Sequence, residues 1–179
     1  MSAPMTTHST QRGAAMMEVL ITMMIIAFGL LGFVGLQGQT TLAQIEAYQR
    51  TQALILLNDM AARMVLNRTN IAAYAANNIG ITDPGACGTA ATLATKDICE
   101  WSLLIQGSSE VKDGAKLGAV TGARGCIVAI SATQYVVSLV WQGVQPSGAP
   151  ATTCGANAYA AENTRRAVTT VVNIATLGT

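Results

Sequence analysis

Few residues in this chain are of types that do chemistry, and their spacing decides what chemistry is open to them. The single histidine, His8, lies near the N-terminus. Asp59, Asp83, Asp97, Glu100, Glu110, Asp113 and Glu162 are scattered and read mostly as solvated charges. Four cysteines, Cys87, Cys99, Cys126 and Cys154, are 12, 27 and 28 residues apart, with no C-x-x-C pair and no histidine nearby. That pattern argues against zinc and for disulfides in an oxidising compartment. No glycine-rich phosphate loop or metal-ligand cluster appears, so no cofactor is expected and the chain does not read as an enzyme. Ten Lys and Arg balance nine Asp and Glu, which argues against nucleic acid as a partner. Aromatics make up 4% of the chain, too few for a stacking platform.

The elements are more informative than the reactive groups. The chain of 179 residues is 51% hydrophobic and only 11% charged, against about 25% charged in ordinary domains. Much of this excess sits in residues 19–36, eighteen uncharged positions of which fourteen are apolar or alanine. With residues 14–17 the segment makes about 34 Å of helix, enough for a hydrocarbon core of about 30 Å. It outlasts a secretory h-region and ends without a small-residue cleavage site, so it reads as a retained membrane span. Two features exceed what an anchor needs. Glu18 opens the apolar run, where a carboxylate usually has a task or a partner. Gly29, Gly32, Gly35 and Gly38 each cost about 1 kcal/mol of helix propensity, and they permit both close helix approach and local unwinding.

Gly13 followed by AAMMEVLITMMIIAFGLLG resembles the cleavage and methylation site of type IV prepilins. The resemblance implies that a prepilin peptidase cuts after Gly13 and methylates the new N-terminus, Ala14, where the family usually has Phe or Met. Glu18 then falls at the fifth mature position, the family's hallmark glutamate. In that family the glutamate meets the N-terminal amine of a neighbouring subunit during assembly, which makes a buried carboxylate tolerable. Such cleavage would also remove His8.

Beyond the span, Leu42, Ile45, Ala53, Leu56, Met60 and Met64 share one helical face, interrupted by Glu46 and Gln49. Glu46 and Arg50 are placed for an i,i+4 pair. The helix is expected to stop between residues 70 and 80, with Asn77-Asn78-Ile79-Gly80 as the stop signal. Residues 83–85 mark a turn, 87–98 a loop of small residues and 97–106 a short helix. Strands are expected at 126–130, 134–142 and 167–176, with 143–155 a loop. The expected fold class is α+β: a type IV pilin fold, whose long N-terminal helix spans the membrane in its first half and packs on a small antiparallel sheet domain. The corresponding divisions are a cleaved leader 1–13, a transmembrane and assembly half 14–38, a periplasmic half of the helix 39–76, and a globular domain 77–179.

Glu100-Trp101-Ser102-Leu103, Gly125-Cys126-Ile127, Val140-Trp141-Gln142-Gly143, Ala149-Pro150, Cys154-Gly155 and Arg165-Arg166 occur in that order, a succession similar to the PilV branch of the minor pilins. The resemblance implies a subunit of the complex that primes pilus assembly and sits at the pilus tip. Its implied partners are other minor pilins, the major pilin, the prepilin peptidase, the inner-membrane assembly platform and a tip adhesin, with membrane lipid before assembly. The implied location is the bacterial inner membrane, with a periplasmic C-terminal domain, and then the pilus tip at the cell surface. Two alternatives stay open: a minor pseudopilin of type II secretion, which shares the N-terminal motif, and a minor pilin that captures DNA. Of three disulfide connectivities, Cys87–Cys99 with Cys126–Cys154 is favoured because each bridge closes a loop between neighbouring elements. Arg165 and Arg166 read as a solvated strand start, with an interaction edge as the second reading, and Trp101 and Trp141 read as core. The Asn67-Arg68-Thr69 glycosylation pattern is discounted because it falls on the helix.

Overall fold

The computed structural model describes residues 12–116 and 118–175. Helix α1 runs Arg12–Leu66; α2 is Leu93–Ile105; strands are β1 Ala76–Ile79, β2 Val111–Lys112, β3 Ala115–Lys116, β4 Arg124–Ala129, β5 Gln134–Gln142 and β6 Arg165–Asn173. The chain divides into two units, Met1–Gln44 and Ile45–Thr179, each described by itself. The described residues of the first are helix only. The second is an α+β head with an antiparallel four-stranded sheet in the order β1-β4-β5-β6, and β2-β3 as a separate hairpin.

Alternation along the strands builds the head. Ile127, Val137, Leu139, Val168 and Val172 share one sheet face and join Ala53, Leu57, Met60 and Met64 of α1 in one buried cluster. Cys126 and Val140, on the opposite face, pack with Cys154 in a smaller cluster. Trp101 of α2 is fully buried, and its indole N–H donates to the Leu56 carbonyl of α1 at 2.8 Å. Its ring lies so close over β4 that a Cβ on Gly125 would sit 2.3 Å from it, so glycine is required there. Trp141 is also buried.

Helix α1 ends earlier than the expected 70–80, and the reason is tertiary. Past Leu66 a 3-10 segment, Arg68–Tyr74, leads into β1, which pairs with β4 through Ala76↔Ile127 and Ile79↔Gly125. Asn77-Asn78-Ile79 of that signal is therefore strand, with an irregularity in which Asn78 takes a φ of 58°, and Gly80 is a turn. Asn67 is buried and its amide donates to the Tyr74 hydroxyl at 3.1 Å. Helix α2 also begins earlier than expected. Thr92 and Thr95 form a capping box that starts the helix at Leu93, inside the presumed loop.

A polar network fastens the end of α1 to α2. Arg63 donates to Asp59 at 2.9 Å, Asp97 at 3.2 Å and Glu100 at 2.6 Å, while the Tyr74 hydroxyl donates to Asp97. Asp97 is thus buried and paired, not solvated as expected. Burial and the bond to Asp97 push the Tyr74 phenol up to about 12, so it stays a donor. Burial opposes charge on Arg63, but Glu100, Asp59 and Asp97 outweigh it and raise its pKa.

The Arg63 bond holds the Glu100 carboxyl below its ordinary value, and the Asn157 amide followed by Arg165 does so for Glu162. A carboxyl depressed in the folded state contributes stability that is present above its unfolded pKa and lost as pH falls through the folded one. The urea midpoint of the head is therefore expected to fall as pH drops below the ordinary glutamate value of 4.5. Glu100→Gln is expected to flatten that dependence, and an unchanged slope would contradict the pairing.

Candidate functional site

Helix α1 presents the sequence's most unusual residues without covering them. Over Ala15–Leu66 its most apolar 18-residue window has a mean hydropathy of 2.6 and none of it is buried, so the helix is long and apolar enough to cross a membrane. Phe28 is 62% and Leu31 69% exposed. An apolar surface of this extent requires lipid or other protein around it. The hydroxyl of Thr22, the one polar side chain within the run, donates to the Val19 carbonyl at 2.9 Å, so it needs no outside partner.

Glu18 lies exposed in the first turns of this segment, with no ion pair among the described residues. Of the cleavage pair Gly13 and Ala14 only the helical backbone is described, and residues 1–11 of the leader lie outside the described residues. A Cβ at Gly29, Gly32, Gly35 or Gly38 would meet nothing within 4 Å. No packing among the described residues accounts for these glycines. At three-residue intervals each is turned about 60° from the last, so the four spiral around the helix rather than line one face. Such a spiral suits neighbours on several sides, or a stretch that unwinds, better than one helix partner.

The cysteines are brought together in the head. Cys87 is bonded to Cys99 with Cα atoms 5.6 Å apart, and Cys126 to Cys154 at 5.9 Å, the pairs favoured from loop closure. The first ties a 3-10 turn to α2, the second ties β4 to the 143–164 segment. No group of three or more metal-binding side chains occurs among the described residues.

Arg165 and Arg166 correct the expectation of a solvated strand start. Arg165 is 4% exposed, paired with Glu162 at 2.6 Å, and donates to the carbonyls of Thr152, Cys154 and Pro150. Arg166 pairs with Glu46 at 3.1 Å, so Glu46 reaches across to β6 instead of pairing with Arg50. The Arg166 pair is not encoded locally, because Glu46 lies 120 residues away, whereas the partners of Arg165 lie 3 to 15 residues away. Comparison with protein-family models, curated proteins and solved structures found no match.

Proposed function

We propose that the chain is a structural subunit of a type IV pilus, a minor pilin of PilV type with a type IV pilin fold, active through helix packing rather than catalysis. The observation that carries this reading is the bare apolar segment of α1, with a carboxylate at its head and four glycines that serve no packing among the described residues. In this reading a peptidase cuts after Gly13 and lipid holds the segment until neighbouring subunit helices replace it. Leaving lipid for protein costs little, since both surroundings are apolar. What selects assembly is then polar and steric: a partner charge for Glu18 and close approach at the glycines.

The head suits mechanical duty. Two disulfides and the Arg165 bonds brace it, each disulfide contributing about 2–4 kcal/mol. Fractionation tests the proposal. The chain is expected in the inner membrane and, in low amounts, in fibres sheared from the cell surface. Recovery from the membrane alone, with secretion failing when the gene is deleted, would support the type II pseudopilin instead.

A further inference from the structure

The outer face of the sheet carries a cavity of about 460 Å³ at the Cys126–Cys154 disulfide. Its lining is polar and contains one charged residue, Arg124 of β4, with Asn77, Ser138, Thr152 and Asn157 among the neutral groups. No carboxylate lines it. The nearest acidic group along the chain, Glu162, is committed: it accepts from the Asn157 amide at 2.6 Å and pairs with Arg165. Arg124 has no ion pair among the described residues.

Arg124 is nevertheless held in place. Its guanidinium lies 5.6 Å from the centroid of the Tyr159 ring, and the Tyr159 hydroxyl donates to the Gly122 carbonyl at 2.9 Å. A guanidinium carries five N–H donors in a planar fork that fits the two oxygens of a carboxylate. Ser138 is buried in the middle of β5 and lines the cavity. One fixed cation surrounded by amides and hydroxyls matches a ligand with one carboxylate and several hydroxyls. A doubly charged phosphate would leave half its charge unanswered.

We propose that this cavity binds a small hydroxylated carboxylate of the acidic-sugar class. Arg124 takes the carboxylate, and Asn77, Ser138 and Asn157 take hydroxyls by hydrogen bonding rather than by aromatic stacking. The site lies wholly in the head and does not depend on the assembly reading. Titration of the full-length chain in detergent micelles with glucuronate, glucose, acetate and inorganic phosphate, read by calorimetry, tests it. Saturable glucuronate binding is expected, with glucose, acetate and phosphate each weaker by about tenfold or more. Arg124→Gln is expected to weaken glucuronate by about tenfold or more with an unchanged unfolding temperature. Absence of glucuronate binding, equal binding of any of the other three, or full binding by a folded Arg124→Gln chain would overturn the proposal.

Discussion

Glu18→Gln is expected to leave the chain in the membrane at its normal amount and to lower its recovery in surface fibres by about tenfold or more, the worth of a charge-assisted bond in an apolar setting. The two halves of that expectation pull in opposite directions, which gives it force. A carboxylate costs about 2.5–3.5 kcal/mol at the centre of a bilayer and less toward its edge. If α1 were an anchor only, glutamine would be neutral or beneficial at this position. A loss on substitution requires a group outside the chain that answers the charge, since Glu18 is exposed and has no ion pair among the described residues. Comparing the variant's amount in membranes and in sheared fibres by immunoblot separates the two. Undiminished incorporation would remove the proposed pairing.

Arg165→Ala is expected to destabilise the head by about 3 kcal/mol, because several hydrogen bonds from a charged donor are lost and buried carbonyls are left without one. The side chain is 4% exposed and joins Glu162 to the carbonyls of Pro150, Thr152 and Cys154. Its loss strands several acceptors in a segment that has no regular structure of its own from 143 to 161. Arg165→Lys is expected to recover only part, because an ammonium cannot serve Glu162 and three carbonyls in one plane. Urea unfolding with both disulfides intact measures this. A cost of about 1 kcal/mol or less, the level of surface pairs, would contradict the anchoring role.

These particulars explain what the sequence disclosed. The apolar part of α1 was legible because eighteen uncharged residues in succession leave few other readings. Strand β5 was legible because it alternates: Tyr135, Val137, Leu139 and Trp141 all face the core. The end of α1 was not. Asn77-Asn78 carries the chemistry of a helix stop, yet the backbone there is claimed by pairing with β4. Some local signals went unused. The Thr92-x-x-Thr95 box marks the start of α2. Asp113-Gly114, with φ values of 52° and 83°, is the two-residue turn of the β2-β3 hairpin, a pattern of the kind that favours such turns.

The buried charges were illegible for a different reason. Asp97 lies on α2 and Arg165 on β6, and each reads locally as a surface residue. Their burial follows from Arg63 and Tyr74 in one case and from the 150–154 carbonyls in the other. Glu18 and the glycines are the converse. The sequence marks them, and among the described residues nothing packs at the glycines or pairs with Glu18.

The central claim is that α1 is processed at Gly13 and passes from lipid into a fibre. Mass spectrometry of protein from sheared surface fibres tests it most directly. The account predicts a chain that begins at Ala14 and carries one added methyl group on its terminal amine. A chain that retains residues 1–13, or that is missing from fibres which otherwise assemble normally, would contradict it.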